Sequence, residues 1–560
     1  MENKEEIKSC QNCKKDFTIE PDDFNFYEKI EVPPPTFCPE CRRQRRYSWR
    51  NERTLYRRNC DLCKKSIIAL YSPEGPNKVY CLTCWWGDSW NAKEFSQDFD
   101  FSRPFFEQFR ELQIKVPRMA LVVKNSPNCE YTNHASNSKN CYLTFALFNS
   151  EDVLYSNRIL NSKMICDCSY LVTKNNEFLY ECINTDSCYN SQYCFLTTNC
   201  MDCFYSYDLR NCSHCFMCSN LRNKQYCINN IQYSKDEYND FIKNVDLASF
   251  KNRDLFNKEY KEMLSSKSIY KSTINEKSVG CSGNFIFQSN NSHYVFNADK
   301  NENVKYSIDV SENVKDCMDI YNAGVNLELC YEVHGAVSSS NALFVHMSYD
   351  NSFITYCDSV HNSQNLFGCN GLKKDNYCIF NKQYTKEEYL ELKEKIIEHM
   401  KKTGEYGEFP PSSISPVSYN ETQGQVYMPL TKEEALSKGF KWQDNIPVTK
   451  GKETMNPDEI PDSILDIKDN ITKEILKCTS CERNYNIVFQ EIEFYRRLII
   501  PIPRKCPNCR YLERVINRPP RKLWHRSCMH KGCTNEFDTS YAPNRPEIVY
   551  CEKCYQQEVI

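Results

Sequence analysis

Glycine is scarce, with 14 in 560 residues, and neither GxGxxG nor GxxxxGK[ST] occurs. No backbone cradle for a dinucleotide or a triphosphate can therefore be read from the chain. HExxH and GxSxG are missing too, which removes the signatures of a zinc peptidase and of a nucleophile elbow. No apolar run approaches the roughly 18 to 20 residues needed to cross a bilayer, and Met1–Ser9 is polar and charged, unlike a signal peptide. An excess of one charge is lacking as well: 71 Lys and Arg against 74 Asp and Glu leave a formal net charge of −3. No global field draws the chain to nucleic acid or an acidic membrane, and any basic surface must be local. The expectation is a soluble, cytoplasmic protein with no membrane partner and no small-molecule cofactor.

Cysteine is plentiful, at 35 residues. No export signal accompanies it, and sixteen of the thiols fall in pairs with metal-site spacing, so reduced thiolates explain them better than disulfides. Cys10, Cys13, Cys38 and Cys41 make one set of two CxxC turns, and Cys60, Cys63, Cys81 and Cys84 a second. Two such turns close a tetrahedral site with no open position. A segment of about thirty residues buries too little to fold alone, whereas structural zinc supplies about 10–16 kcal/mol of apparent binding free energy. Shifted by 468, these ligands fall on Cys478, Cys481, Cys506, Cys509 and Cys528, and after a two-residue insertion on Cys533, Cys551 and Cys554. The prediction is four structural zinc ions, with iron the second choice; His530 competes as a ligand in the last site. The remaining nineteen cysteines lie in repeats, where a free thiol acts as a small buried hydrophobe.

The middle of the chain counts in twelves. Asn125, Asn137, Asn149 and Asn161, then after a slip of two Asn175, Ser187, Asn199, Asn211 and Asn223, are each followed four residues on by Cys129, Cys141, Val153, Ile165, Leu179, Ser191, Cys203, Cys215 and Cys227. A short fixed period marks a chain that stacks like rungs. Asn and Ser suit the corners, and the plus-four column points inward. The runs between have strand character. The fold class predicted is mainly β: a repeat β-solenoid of two ladders with short capping helices, flanked by paired zinc ribbons at each terminus. Twelve residues make either a full coil or half of one. A second, looser ladder follows, with Asn291, Asn303, Asn313, Asn326, Asn341, Asn351 and Asn362 at intervals of 10 to 15. The sequence 226–238 recurs as 377–389, each copy closing a ladder and opening a helix with a capping box. The predicted organisation is a ribbon pair at 1–90, an aromatic cap at 91–117 placed over the first rung, ladder one at 118–232 and a helical insert at 233–274. Ladder two at 275–383, a capping helix at 384–403, a linker at 404–475 and a second ribbon pair at 476–560 follow.

Between the ribbons runs a segment of eight arginines and one glutamate with interleaved aromatics, 42–58. Guanidinium forks grip phosphates and aromatic faces stack bases. The candidate nucleic-acid contacts are Arg42, Arg43, Arg46, Arg50, Arg53 and Arg58, with Arg510, Arg514, Arg521 and Arg526 at the other end, four of them at matching places under the same shift. The competing reading is a connector whose arginines pair with acids on the ribbons or the solenoid. Within ladder two, His334, His346 and Asp358 stand twelve apart, so a twelve-residue coil stacks them; ordinary corner or surface residues are the plainer explanation.

The two terminal pairs resemble zinc ribbons, a resemblance specific for metal and weak for function. Over its length the chain resembles an uncharacterised group of bacterial proteins with ribbon pairs around a Cys-rich repeat, some carrying the name CaiB/BaiF, the class III CoA-transferases. Those enzymes resemble large α/β proteins with an acyl-accepting aspartate, and the residues supply neither glycine-rich character nor an isolable aspartate. The functional expectation is a non-enzymatic zinc scaffold that binds nucleic acid, RNA before DNA. A protein–protein adaptor is the alternative, and an enzyme with a site on the solenoid the second alternative.

Overall fold

The computed structural model describes residues 4–172 and 175–560. It is mainly β, with short helices and two large, predominantly parallel sheets. The chain divides into two compact units, each assembled from two separate stretches: 1–121 with 274–446, and 122–273 with 447–560.

In the second unit, strands from Cys129–Glu130 to Ile231–Gln232 form a ten-stranded sheet. Its partners stand twelve residues apart: Cys141 opposite Cys129, Cys215 opposite Cys203, Cys227 opposite Cys215. A five-stranded sheet from Val123–Lys124 to Ser169–Leu171 keeps the same spacing, with Phe145 opposite both Asn133 and Asn157. Along this stretch every twelve residues visit both sheets, so twelve residues complete a rung. One longer step pairs Ile165 with Leu179, which is the slip seen in the Asn count.

The backbone explains the period. Asn125, Asn128, Tyr131, His134, Asn137, Asn140, Leu143 and Ala146 all have φ between 49° and 57°. Every third residue is thus left-handed, and a rung turns four times. The residue after each corner points inward, and Cys141, Thr144, Leu147 and Ser150 are buried. A left-handed corner costs a non-glycine residue roughly 1–2 kcal/mol. The rung-to-rung bonds offset that cost, and at one corner a side-chain ladder adds to them: Asn199 Nδ2 donates to Asn211 Oδ1 at 3.2 Å and Asn211 Nδ2 to Asn223 Oδ1 at 3.0 Å.

Inward thiols and hydroxyls play one role. Ser138 Oγ donates to Ser136 O and accepts from Ser150 N, at 3.0 and 3.1 Å. Cys188 Sγ donates to Asp186 O and accepts from Cys200 N, at 3.2 and 3.3 Å. A buried cysteine here is a larger, softer serine that satisfies the corner's backbone without adding a strong polar group.

In the first unit, ten strands from Asn275–Glu276 to Lys382–Gln383 form the second ladder. His334 opposes His346, and Leu366 opposes Cys378, again twelve apart. Two steps are thirteen, Asn301 to Val314 and Met318 to Tyr331. One step is eleven, Asn275 to Ile286, so its register is less uniform than that of the other ladder, though tighter than the spacing of its asparagines. Its corners include Tyr294, Lys300, Tyr306 and Asp309, so counting asparagines loses the rhythm. Val310, Val333, Val345, Ile354 and Leu366 fill its centre. Each ladder closes on an antiparallel strand, Ile231–Gln232 or Lys382–Gln383, and a helix with a capping box, Ser234 with Glu237 or Thr385 with Glu388.

The aromatic stretch 91–117 covers late rungs of ladder two rather than a first rung. On its helix Phe105–Lys115, Phe105 lies 5.6 Å from Phe367 and 5.2 Å from Phe380 between ring centres. Those rings offer the apolar surface its phenylalanines need. Among the described residues no helix is long and apolar enough to cross a membrane.

Two short parallel pairings reveal the connectivity. Val79 pairs with Arg118, just before ladder one, inside the first unit. Val549 pairs with Tyr270, just before ladder two, inside the second. Each ladder therefore shares a unit with the cysteine-rich end from the opposite half of the chain.

Candidate metal centres and the docking interface beside them

Each terminus supplies two hairpin turns and two helices capped by a cysteine. Cys10 and Cys13 lie in the turn after strand Glu6–Ser9, and Cys38 is the N-cap of the helix Pro39–Tyr47, which contains Cys41. The pattern repeats with Cys81 before Leu82–Trp86, Cys506 before Pro507–Asn517 and Cys551 before Glu552–Val559. Four groups result, in each of which all four Sγ atoms lie within 4.8 Å of one another: Cys10, Cys13, Cys38, Cys41; Cys60, Cys63, Cys81, Cys84; Cys478, Cys481, Cys506, Cys509; and Cys528, Cys533, Cys551, Cys554.

Their geometry fits a metal. Sγ separations are 3.8 Å for Cys13–Cys38, 3.9 Å for Cys63–Cys81, 3.7 Å for Cys481–Cys506 and 3.9 Å for Cys533–Cys551. A tetrahedron with metal–sulfur bonds of about 2.3 Å has edges of about 3.8 Å. The four groups could hold metal ions and are compatible with zinc. Backbone amides support the thiolate charge: the N–H groups of Cys38, Cys81, Cys506 and Cys551 donate to the Sγ atoms of Cys10, Cys60, Cys478 and Cys528, each at 3.2 Å. His530 lies outside its group, with Nε2 3.2 Å from Glu558. Among the described residues the ladder cysteines form no such group. Burial pushes the thiols of Cys168 and Cys182 well up, so they stay protonated.

The Cys38 cap fixes where the following arginines point. Arg42 and Arg46 are four apart, hence on one helix face. Arg42 Nη2 lies 2.8 Å from Asp319, and Arg46 bridges Asp319 at 2.8 Å and Glu332 at 2.5 Å. Arg45 adds Glu332 and Glu408, both at 2.9 Å. At the other end Arg510 lies 3.0 Å from Asp167, and Arg514 reaches Asp167 at 3.0 Å and Glu181 at 3.1 Å. Asp319, Glu332, Asp167 and Glu181 all stand at left-handed corners.

The correspondence extends beyond the ion pairs. Tyr306 hydroxyl donates to Asp23 at 3.0 Å, and Tyr155 hydroxyl to Glu491 at 2.7 Å. Tyr27 packs on Tyr331 at 5.5 Å, and Tyr495 on Tyr180 at 5.9 Å. One interface has been used twice, each time between an end and the ladder of the other half.

Electrostatics tie these groups together. Burial lowers the Arg42 guanidinium's hold on its proton, but Asp319 more than restores it, leaving the pKa well above the ordinary value. Burial pushes Glu181 up to about 7 against the opposing pull of Arg514. Glu491 is likewise raised by burial, with Arg510 opposing.

Arg42, Arg46, Arg50, Arg510 and Arg514 are buried, which corrects the expectation that they face outward toward phosphates. The acids of their own unit neutralise the first, second, fourth and fifth, while Arg50 lies 2.5 Å from Glu52. Arg43 is half-exposed and 3.7 Å from Glu40. Arg53 is half-buried, and Arg58 lies 2.9 Å from Asp61. Arg521 donates to the Tyr170 hydroxyl, and Arg526 to the carbonyls of Tyr541 and Ala542. Sequence reasoning missed Arg45 and every partner acid. A signal was present: laid over each other, the corner columns read Tyr155, Asp167, Glu181, Tyr193, Tyr205 and Tyr306, Asp319, Glu332, Phe344, Tyr356, with two acids between aromatics in both.

His334, His346 and Asp358 do share a column. His346 Nδ1 lies 2.9 Å from Asp358 Oδ1, and Arg118 and Gln113 donate to Asp358 Oδ2 at 2.7 and 2.9 Å. Trp49 covers His346, with ring centres 5.3 Å apart. Burial pushes the Asp358 carboxyl up, but Arg118 and His346 outweigh it and hold it well below the carboxylate range. All three residues are buried, and the column is packed beneath the N-terminal end.

Comparison with known proteins adds little. Neither a family model nor a curated protein matches the chain. A solved structure of a putative acetyltransferase from Desulfovibrio desulfuricans G20 matches at 10% identity over 45% of this chain and 63% of that one, with a TM-score of 0.08. The chain thus spans less than two thirds of that protein's length, and so low a TM-score carries no argument.

Proposed function

We propose that the protein is a non-catalytic scaffold: two β-solenoids of twelve-residue rungs, each clamped by a pair of zinc ribbons, presenting a rigid surface on which other proteins dock. The twelve-residue register and the corner at every third residue support the solenoid reading. A hairpin joined to a cysteine-capped helix supports the ribbons, and the match of sulfur spacing to a zinc–thiolate tetrahedron supports zinc.

The observation that carries the proposal is the repeated clamp of Arg42 and Arg46 on Asp319 and Glu332, and of Arg510 and Arg514 on Asp167 and Glu181. Arginines whose composition suits nucleic acid are spent on holding the metal modules to the ladders. The column of His334, His346 and Asp358, buried beneath other side chains, gives a substrate no access, which favours a scaffold over an enzyme.

The test is recovery of the tagged full chain from cells with nuclease and washes of about 0.5 M salt, conditions that strip phosphate-held partners, alongside a metal count. Protein partners that survive, with four zinc ions per chain, are the expected result. Nucleic acid protected through those washes, or partners lost on nuclease treatment, would instead favour binding of RNA or DNA.

A further inference from the structure

The clamp joins stretches that are remote in the chain. Residues 1–121 belong with 274–446, and 122–273 with 447–560, so the backbone passes from one unit to the other near 121, 273 and 446. Each cysteine-rich end shares a unit with the ladder of the opposite half rather than with the one next to it in sequence. The connection between them is itself folded, and tethering makes the docking intramolecular, at an effective concentration that for short flexible linkers is about millimolar.

Nothing in the clamp itself requires the two sides to belong to one polypeptide. Its contacts are made by side chains: two arginines between two carboxylates, a tyrosine hydroxyl on Asp23 or Glu491, a tyrosine pair, and Arg514 on the Tyr155 carbonyl. The parallel pairings Val79 with Arg118 and Val549 with Tyr270 attach each end to its own strap rather than to the ladder. At the N-terminal end that strap also rests on ladder two, through Phe105 on Phe367 and Phe380 and Arg118 on Asp358, so the piece that can leave is end and strap together, 1–121. Exchange of an identical element between copies is a low-cost route to a dimer when the element is separable and its connection crosses between units.

We propose that the interface is also an interaction surface for a second copy of this chain: the N-terminal end of each copy docks on ladder two of the other, making every contact of the clamp between chains. Release of the metal opens it, because Cys38 caps the helix that carries Arg42 and Arg46 and Cys41 lies within that helix. Reloading the metal closes it on whichever ladder is at hand.

The experiment uses full-length protein in two differently tagged batches. Both are stripped with a chelator under reducing conditions, mixed from about 1 μM to 1 mM, a range reaching the millimolar scale of a short flexible linker, and reloaded with zinc. The expected product is a species of twice the chain mass that carries both tags, rises with concentration, and is absent when the batches are mixed without stripping. A charge-swapped pair sharpens this. One copy carries Arg42→Glu and Arg46→Glu, the other Asp319→Arg and Glu332→Arg. Alone, each is expected to be cut rapidly by protease in the first unit; together, they are expected to regain resistance as a mixed dimer. Wild-type batches that reload four ions per chain and remain single-tagged monomers at every concentration overturn the proposal, whatever the charge-swapped pair does.

Discussion

The ladder of the first unit is filled with Val310, Val333, Val345, Ile354 and Leu366, while that of the second is filled at many of its inward positions with Cys168, Cys182, Cys194, Cys203, Cys215 and Cys218. Against this divergence the clamps repeat the same contacts, down to a tyrosine on an acid. An inward position needs a side chain of suitable volume whose polar atom, if any, reaches a corner carbonyl, and several residue types meet that. The clamp cannot drift one residue at a time, because removing one partner leaves a buried charge unpaired, at a cost of about 3–5 kcal/mol. Buried charge is the slower-changing part of this molecule, and the apolar centre the more tolerant one.

Stripping the metals should erase the difference between the units altogether. With zinc bound as proposed, each ion would be worth about 10–16 kcal/mol of apparent free energy, and its loss would free the caps of both docking helices. Hydrogen exchange should then rise across 21–47 and 489–517 in parallel; protection persisting in either segment would separate clamp from metal.

Single arginine variants should restore the asymmetry. Arg46→Ala leaves Asp319 to Arg42 and Glu332 to Arg45, and Arg514→Ala leaves Asp167 to Arg510 and Glu181 with no arginine; each is expected to cost at most the about 3–5 kcal/mol of a broken buried pair. Limited proteolysis is expected to open the first unit in one variant and the second in the other. Cleavage spreading equally through both would contradict the division of the chain.

Acid should also tell the units apart. Burial lifts Glu181 from an ordinary value of 4.5 to about 7, so the folded second unit holds that proton more tightly than the unfolded chain does. Its contribution to stability is complete below about 4.5 and is lost as pH rises through about 7. Asp358, held low in the first unit, contributes above its ordinary 3.8 and is lost only on further acidification. Glu181→Gln should flatten the pH dependence of the second unit's denaturation midpoint between about 4.5 and 7 and leave the first unit's unchanged.

The smallest effect is expected inside ladder one. Cys200→Ser should cost less than about 1 kcal/mol, the scale of one net hydrogen bond, because Ser150 and Ser162 occupy the same column in earlier rungs. Cys41→Ser, by contrast, should lower the metal count by one.

The sixteen candidate ligands could be read directly, since seven CxxC pairs and Cys528 with Cys533, set two pairs to a group, have few other uses, and the twelve-residue period was legible at the corner richest in Asn. The other three corners were not, because residues such as Tyr131, His134 and Met164 give no sign of a positive φ. The arginines were visible but their partners were not: a guanidinium fork fits carboxylate and phosphate alike. Composition left pairing with acids of the solenoid open beside nucleic acid, and only the fold brings Asp319 and Glu332 beneath Arg46. The crossed pairing of ends and ladders was hidden for a different reason. Internal repeats reveal which segments are kin, and kinship does not say which of them touch.

The crossed pairing also sets a timetable for synthesis. Arg46 emerges about 270 residues ahead of Asp319, and at about 5–20 residues per second its helix waits roughly fifteen seconds to a minute before the first of its carboxylates exists. Ladder one is translated during that interval, yet its own partner, within 447–560, emerges only after ladder two. Neither half can finish folding until part of the other has been made.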